Sequence, residues 1–313
     1  MNTLKNQLCV YSFYRFIKIQ NKQKLKSLIY KFSINKKLKG TVLIANEGLN
    51  ASLSGREDDL NSLVKLIKNK INIRKINLKI NTVNTIPFNK FKVKLKNEIV
   101  SLGMSNLKID KNNNRYIHPH NWDKFINNKN IKLIDTRNMY EIKIGRFKNS
   151  INPKTEKFRE FPKHVNKLKI KKNDTLAIYC TGGIRCEKAS TYLKSKGYKN
   201  VYQLDGGIIN YLDYKKNNGH KMRWNGECFV FDNRVSINKN LKKGIYSQCY
   251  GCRHPITAKE IKSQHYKKGV YCPYCYNVRT EKQINRSKSR QKQIDLENSR
   301  GLKYNFKNLQ LSE

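Results

Sequence analysis

Residues 175–190 read TLAIYCTGGIRCEKAS. The first five residues form a short apolar run with little alternation, as expected for a strand that is covered on both faces of a parallel sheet. A loop with two glycines follows Cys180, and we expect a helix to begin near Cys186. Active sites in such sheets lie at the carboxyl ends of strands. The segment therefore predicts a parallel α/β domain with Cys180 as its candidate reactive residue.

The loop after Cys180 has the composition of an anion cradle. We expect five consecutive backbone amides to point inward around the sulfur, and these belong to Thr181, Gly182, Gly183, Ile184 and Arg185. The positive end of the following helix is aimed at the same place. The two glycines permit positive φ values and close backbone approach. Such surroundings lower a cysteine pKa from about 8.5 to roughly 3.5–7.5 and make the thiolate nucleophilic.

Each of these residues also has a simpler interpretation. Cys180 can be a small buried residue at a strand end, although two glycines and an arginine wrapped around it favour a reactive thiol. Arg185 can face solvent, but its position at the mouth of the loop favours anion binding. Cys186 can be a resolving thiol or a packing residue, and we favour packing.

The first hundred residues alternate strand-like and helix-like patterns. We expect strands at residues 8–16, 41–45, 49–54 and 78–83, and helices at residues 22–32 and after Gly55. The second helix carries three acidic residues in its first turn. Four of its apolar residues are expected in the core, namely Leu60, Leu63, Leu66 and Ile67. The resulting β-α-β-β-α-β order predicts a ferredoxin-like (acylphosphatase-like) α+β domain.

The sequence divides the chain into four predicted segments. A strand-like run at residues 88–100 extends the first domain or links it to the second, and the polar stretch 108–115 is our preferred boundary. Further buried strands are expected at residues 131–134 and 201–204. The predicted segments are an α+β domain (1–110), a parallel α/β domain (116–220), a small Cys-rich module (221–280) and a basic polar tail (281–313), disordered or a short helix.

The charge of the chain bears on its partners. There are 66 Lys and Arg against 22 Asp and Glu, which gives a formal net charge of +44 and predicts attraction to a polyanion such as RNA. The abundance of Lys, Asn and Ile is also what AT-rich coding produces, so charge alone does not assign the partner. We find no membrane-length apolar run and no secretion signal, and therefore expect a soluble cytoplasmic protein with reduced cysteines.

Two cysteine pairs stand near the C-terminus. Cys249-Tyr-Gly-Cys252 and Cys272-Pro-Tyr-Cys275 are separated by 19 residues. Four thiolates in two such pairs can enclose a tetrahedral Zn²⁺ in a closed, structural site. A metal-free cluster of reduced thiols remains the alternative.

Two aromatic residues and two histidines elsewhere in the chain also have two interpretations each. Trp224 or Phe229 can stack on a flipped base, but an aromatic-rich stretch is more often core. His118 and His120 can be metal ligands, but a polar loop before a helix is the simpler interpretation.

The reactive loop is similar to that of rhodaneses. Cys180 and Arg185 have four residues between them, as in rhodanese active-site loops, whereas the related phosphatases have five. Residues 133–147, LIDTRNMYEIKIGRF, resemble the rhodanese signature in which Asp-x-Arg follows the first strand. By this resemblance Asp135 and Arg137 join the substrate or anion cradle. Arg146 departs from the pattern, since many rhodaneses have histidine there.

The resemblance extends along most of the chain. Six blocks between residues 42 and 235 resemble, in order, the rhodanese-domain, oxygen-dependent tRNA uridine hydroxylases: VLIANEGLNASLSG, PFNKFKVKLKNEIV, IDTRNMYEIKIG, CTGGIRCEKAS, LDGGIINYL and WNGECFVFDNRV. Membership implies that dioxygen is a co-substrate and that the product is 5-hydroxyuridine at the tRNA wobble position. It also implies that Cys180 is the essential cysteine, proposed to act as a persulfide.

Three functions are compatible with these features. In the leading one, tRNA uridine hydroxylation, the Cys180 thiolate carries a persulfide or adds to carbon 6 of the uracil. The sequence has no flavin, haem or non-haem iron motif, so the electron donor is left open. The second is a sulfurtransferase that works through a Cys180 persulfide, and the third is a non-catalytic RNA-binding protein.

Overall fold

The computed structural model describes residues 7–104, 107–109, 114–219 and 221–300. The chain forms two compact units, of which the first ends at Gly244 and the second begins at Ile245. Both expected α/β domains lie in the first unit, and the clustered cysteines lie in the second. The polar stretch that we proposed as a domain boundary includes residues 110–113, which lie outside the described residues.

The N-terminal part of the first unit is an α+β domain with a five-stranded sheet. Its elements are β1 (Leu8–Phe16), α1 (Lys22–Asn35), β2 (Lys39–Ala45), β3 (Gly48–Arg56), α2 (Glu57–Lys70), β4 (Lys79–Thr82) and β5 (Phe91–Leu95). The strand order is β4-β1-β3-β2-β5, with β5 parallel to β2 and the other neighbours antiparallel. The predicted β-α-β-β-α-β order is confirmed, and the run at residues 88–100 adds β5 at the sheet edge.

Alternation along β1 gives this sheet two different faces. Tyr11 and Phe13 are buried in the core beneath the helices, and the Tyr11 hydroxyl donates to Asn61 Oδ1 of α2 at 2.7 Å. Because side chains alternate along a strand, the intervening Ser12 and Tyr14 belong to the opposite face, where they line a cavity. On α2, Leu66 is only partly buried and Val64 is buried instead, so the apolar stripe differs slightly from the predicted one.

The second part of the first unit is the expected parallel α/β domain. Its elements are β6 (Arg115–Ile117), α3 (Pro119–Ile126), β7 (Ile131–Asp135), α4 (Met139–Ile144), β8 (Gly145–Phe147), α5 (Phe161–Val165), β9 (Thr175–Tyr179), α6 (Ile184–Ser195), β10 (Asn200–Leu204) and α7 (Gly207–Asn218). A short 3₁₀ helix, Phe158–Glu160, precedes α5. The four-stranded sheet has the order β6-β10-β9-β7, and every neighbouring pair is parallel.

Strand β9 is covered on both faces, as its apolar composition predicts. Leu176 and Ile178 pack into the core on one side of the sheet, and Ala177 and Tyr179 pack into the core on the other. All four side chains are fully buried. A central strand of this kind holds the residue that follows it, Cys180, at a fixed position on the carboxyl edge of the sheet.

The segment after α7 belongs to the first unit. Strand β11 (Trp224–Gly226) pairs with β8, and β12 (Cys228–Phe229) pairs with β13 (Ser236–Ile237). The Cys-rich module was expected to begin at residue 221, whereas the second compact unit begins at Ile245. The reason is that Trp224 packs edge-on against Phe147 of β8, with ring centroids 5.2 Å apart.

The second unit holds short strands, two helices and the clustered cysteines. Its elements are β14 (Ser247–Gln248), β15 (Pro255–Ile256), α8 (Ala258–Ile261) and α9 (Glu281–Ser299). Thr280 caps α9 by accepting a hydrogen bond from the Gln283 amide at 3.3 Å, so this part of the tail is a 19-residue helix. Residues 301–313 of the predicted tail lie outside the described residues. No helix in the described parts of the chain is long and apolar enough to cross a membrane.

Candidate active site and cysteine cluster

The reactive loop turns sharply between β9 and α6. Gly183 has a φ of 96° and is the residue that precedes α6. Its amide donates to the Cys180 sulfur at 3.0 Å. A Cβ atom at Gly183 would lie 3.0 Å from the Tyr14 hydroxyl, so both the backbone conformation and the close neighbour favour glycine. Gly182, for which we also expected a positive φ, does not adopt one.

The thiol of Cys180 ionises easily in these surroundings. Burial raises its pKa, but the Cys186 thiol, the Arg185 guanidinium and the amides of Arg185 and Cys186 together outweigh burial and lower the pKa to about 5. Cys180 itself is fully buried, and it forms part of a cavity wall. The geometry therefore supplies a thiolate at neutral pH, held beneath the loop that surrounds it.

Arg185 is held by a carboxylate that the sequence patterns did not identify. Its two terminal nitrogens donate to the two carboxylate oxygens of Glu141 at 2.6 and 2.7 Å. Both residues are buried, and Arg185 lowers the Glu141 pKa against the opposing effect of burial. Arg185 thus lies beside the cradle, as expected, but its charge is already matched by Glu141. The one sequence signal for Glu141 was an acidic residue in the first turn of a short helix.

Asp135 and Arg137 do not line the cavity. Arg137 Nη2 lies 2.6 Å from Asp135 Oδ2 and also donates to the Gly145 carbonyl oxygen at 2.7 Å, and both residues are fully buried. This part of the cradle prediction is therefore corrected, because the two charges satisfy each other inside the domain. Arg146, which stands where many rhodaneses have histidine, is exposed on β8.

Cys186 lies in the core of the parallel domain. Its sulfur is 3.7 Å from the Thr136 hydroxyl oxygen, and its side chain is fully buried. Burial and the neighbouring Cys180 raise its pKa well above the ordinary range. Cys186 is therefore protonated when Cys180 is ionised, which fits a packing residue that donates to the reactive sulfur.

Helix α6 also joins the two domains of the first unit. Glu187 accepts hydrogen bonds from the hydroxyls of Tyr14 at 2.9 Å and Tyr116 at 3.0 Å. The next residue, Lys188, is fully buried and lies 2.9 Å from Glu47 and 2.5 Å from Glu98. The contacts of Tyr14, Glu47 and Glu98 fix the first domain against α6. No local sequence pattern indicates them.

A cavity of about 570 Å³ lies between the sheet of the first domain and the reactive loop. Ser12, Tyr14 and Ser52 contribute from the sheet, and Cys180 and its loop contribute from the other side. Thr181, Gly182, Ile184 and Arg185 are all part of its wall. The loop residues of the predicted cradle are thus brought together, and they face a second domain.

Phe231 is an exposed aromatic residue in the wall of this cavity. Its side chain is 64% exposed, and its ring centroid lies 5.9 Å from the Arg185 guanidinium. Trp224 and Phe229, the aromatic residues considered for base stacking, are buried, so their interpretation as core is confirmed. Sequence reasoning missed Phe231 because a run of aromatic residues does not reveal which ring faces outward.

His118 and His120, the residue before α3 and the second residue of that helix, have local roles. The His118 ring accepts a hydrogen bond from the His120 amide at 3.2 Å, and the His120 ring lies 2.6 Å from the Tyr214 hydroxyl. Neither belongs to a cluster of potential metal ligands among the described residues.

The second unit brings its four cysteines into one cluster: Cys249, Cys252, Cys272 and Cys275. Their sulfurs all lie within 4.8 Å of one another, and three of the separations are 3.7, 3.9 and 4.0 Å. A tetrahedral site with zinc–sulfur bonds of about 2.3 Å places its sulfurs about 3.8 Å apart. The cluster therefore has the spacing required to hold a metal ion.

Comparison with known proteins agrees with this division of the chain. Residues 8–99 match the family model described as UPF0176 acylphosphatase like domain, and residues 119–213 match the model of the rhodanese-like domain. Among solved structures, a rhodanese-related protein from Thermoplasma volcanium is 25% identical and aligns with 32% of this chain and 92% of its own, with a TM-score of 0.26. An acylphosphatase from Coxiella burnetii is 18% identical over 29% of this chain and 99% of its own, with a TM-score of 0.23.

A full-length relative is more informative than these partial matches. The tRNA uridine(34) hydroxylase of Pelagibacter ubique (strain HTCC1062) is 47% identical over 298 residues, which cover 95% of this chain and 97% of the relative. The match includes both α/β domains, the reactive loop and the cysteine cluster. This chain therefore belongs to the tRNA uridine(34) hydroxylase family.

Proposed function

We propose that this protein hydroxylates carbon 5 of the uridine at position 34 of tRNA, giving 5-hydroxyuridine, with Cys180 as the essential residue. The observation that carries the proposal is an easily ionised Cys180 in the wall of a two-domain cavity, in a chain 47% identical to a tRNA uridine(34) hydroxylase. A base that is stacked in an anticodon loop has to leave its stack to enter an active-site cavity. The cavity has a volume within the range of ordinary small-molecule sites.

The residues around Cys180 have separable tasks in this scheme. The loop amides, that of Gly183 among them, and Arg185 hold the sulfur as an anion. Thr181, Gly182 and Ile184 shape the wall that the base approaches. Phe231 offers an exposed ring on which uracil can stack. Glu141 keeps the Arg185 side chain in one orientation.

Two reactions of the thiolate fit the site. In one, the thiolate takes the outer sulfur of a sulfane-sulfur donor such as thiosulfate, which leaves as sulfite, and Cys180 then carries a persulfide. In the other, the sulfur adds to carbon 6 of uracil while the C5–C6 double bond opens to an enolate, so that carbon 5 becomes electron-rich enough to react with an oxidant. Loss of the proton from carbon 5 then expels the thiolate and restores the double bond. The proposed oxidant is dioxygen. Insertion of one of its oxygen atoms, with the other released as water, consumes two electrons from a donor that is left open.

The basic surface of the protein supports tRNA as the partner. With a net charge of +44, the chain attracts the phosphate backbone at long range, and binding should weaken steeply as salt rises. In the second unit, Lys267 and Lys268 form a groove with Lys288 and Lys292 of α9. We assign phosphate contacts to this groove.

The cysteine cluster is proposed to hold a structural Zn²⁺. Four thiolates complete a tetrahedral shell and leave no position for substrate, so the ion would stabilise the second unit without taking part in the reaction.

Nucleoside mass spectrometry tests the proposed function. We expect tRNA from cells that lack the gene to have lost 5-hydroxyuridine at position 34. The wild-type gene should restore it, and the Cys180→Ala variant should not. Cys9→Ala is the matched control, because Cys9 is also buried but belongs to the core of the first domain. Restoration by Cys180→Ala would refute both thiolate schemes.

A sulfurtransferase is the second candidate, and the four-residue spacing between Cys180 and Arg185 favours it. Its test is sulfur transfer from thiosulfate to cyanide by the purified protein. Rapid transfer, together with unchanged tRNA nucleosides in cells that lack the gene, would favour this function. Unchanged nucleosides with retained tRNA binding and no sulfur transfer would favour a non-catalytic RNA-binding protein.

A further inference from the structure

Lys79 brings a positive charge from the first domain to the reactive loop. It is the first residue of β4, an edge strand, and its ammonium group donates to the carbonyl oxygen of Gly182. Gly182 is the second residue after Cys180. The ammonium nitrogen also lies 5.6 Å from the centre of the Tyr14 ring, and both side chains line the cavity.

Two other cations near the reactive loop are already matched by carboxylates. Arg185 is paired with Glu141, and the fully buried Lys188 lies between Glu47 and Glu98. Among the residues that the structure describes, none places a carboxylate within 4.0 Å of the Lys79 ammonium. Lys79 therefore contacts the reactive loop directly and keeps a charge that can act on the groups around it.

We propose that Lys79 is a positioning residue whose charge stabilises the Cys180 thiolate and whose contact with Gly182 fixes the reactive loop. The ionisation of Cys180 then depends on a residue of the first domain as well as on the rhodanese-like domain. This inference rests on Cys180 being the reacting group of the proposed function.

The charges that face Lys79 agree with this assignment. Burial lowers the Lys79 pKa, and the negative charges of Cys180, Asp205 and Glu187 oppose that effect, with Cys180 first among them. Cys186 adds a smaller effect of the same sign. Since the interaction between two charges is mutual, an ammonium that gains from the thiolate stabilises the thiolate equally. Loss of the ammonium should therefore raise the Cys180 pKa.

The rate of Cys180 alkylation as a function of pH tests the proposal. Iodoacetamide is a suitable probe because it is neutral, and mass spectrometry of the Cys180 peptide separates this thiol from the seven others. In the intact protein, Lys79→Gln should raise the pH midpoint by about one unit or more, which is a tenfold loss of thiolate at a pH below both midpoints. Glutamine can still donate to the Gly182 carbonyl, so this variant removes the charge and retains a donor.

Two further variants complete the test. Lys79→Arg retains a charge and should keep the midpoint within a few tenths of a unit of the wild type. Lys94→Met removes an exposed lysine from β5 of the same domain and should leave the midpoint unchanged. If Lys79→Gln fails to fold, Lys79→Met replaces it.

An unchanged midpoint in the neutral Lys79 variant would overturn the proposal. An equal shift in Lys79→Arg would overturn it as well, because a contact rather than a charge would then be responsible. Alkylation requires neither tRNA nor dioxygen. The alkylation assay can therefore contradict the role of Lys79 while nucleoside analysis supports hydroxylation. It can equally support that role while nucleoside analysis contradicts hydroxylation.

Discussion

Cys180 and the four clustered cysteines show two different uses of the same side chain. Cys180 is surrounded by backbone amides, the Cys186 thiol and cationic side chains, which together stabilise one anionic sulfur beside a cavity. The clustered sulfurs all lie within 4.8 Å of one another. Four like charges at that separation repel unless a cation lies between them. The first arrangement therefore suits a nucleophile, and the second suits a metal ion.

The largest expected effect is the loss of zinc from the cysteine cluster, which should leave the Cys180 site unaffected. The protein should be purified with about one zinc ion per chain, and Cys272→Ser or a strong chelator should unfold the second unit, because zinc binding contributes on the order of 10 kcal/mol in small zinc domains. Metal analysis and limited proteolysis measure both effects. Cys9→Ala should retain the ion, as should Cys180→Ala. Full metal loss without increased proteolysis would contradict a structural role.

The second prediction concerns the ion pair that holds Arg185. Glu141→Gln leaves a buried guanidinium without its carboxylate, and this should lower the free energy of unfolding by roughly 3–5 kcal/mol. Tryptophan fluorescence recorded during urea unfolding of the first unit measures the change in this free energy. Glu156→Gln, an exposed residue of the same domain, is the control and should have little effect. Equal stability of the two variants would show that Glu141 does not hold Arg185 in solution.

The third prediction concerns the exposed ring at the cavity. Phe231→Ala should weaken productive tRNA binding by about 1–3 kcal/mol, the usual value of one stacked base, and Phe231→Trp should restore most of it. The effect should be seen in KM for tRNA, while the pH midpoint of Cys180 alkylation stays unchanged. A loss confined to kcat would argue against stacking.

The smallest expected effect comes from Cys186. Its thiol helps to lower the Cys180 pKa, so Cys186→Ala should raise that pKa from about 5. The sign follows from the ionisation itself, since the thiolate is present above the pKa and lost as the pH falls through it. Alkylation of Cys180 should therefore slow near pH 5–6 and stay unchanged near pH 8. Slower alkylation at both pH values would indicate a repacked core instead.

Local patterns predicted most of the fold and the centre of the site. The limits of β1 and β9 could be inferred because strand composition and the residues that flank it are read within a few positions. Cys180 was identified because a strand, two glycines and an arginine are consecutive in the sequence. The four clustered cysteines were identified by the spacing within each pair.

Long-range contacts could not be inferred in the same way. Lys79 reaches a loop 103 residues away, and Glu141 pairs with Arg185 across 44 residues. The packing of the two domains places one of 66 basic residues beside the thiol, and no local pattern specifies which one. The same limit applies to Asp135 and Arg137, whose position at the end of β7 did not reveal that they pair with each other in the interior. Exposure of Phe231 likewise depends on packing around it.

The most direct test is the rate of Cys180 alkylation in the wild-type protein, measured peptide by peptide from pH 4 to pH 10. An ionised Cys180 that the cavity makes accessible predicts a midpoint near pH 5 and rapid reaction at neutral pH. A midpoint near the ordinary cysteine value of about 8.5 would contradict it. So would a sulfur that stays unreactive throughout that range.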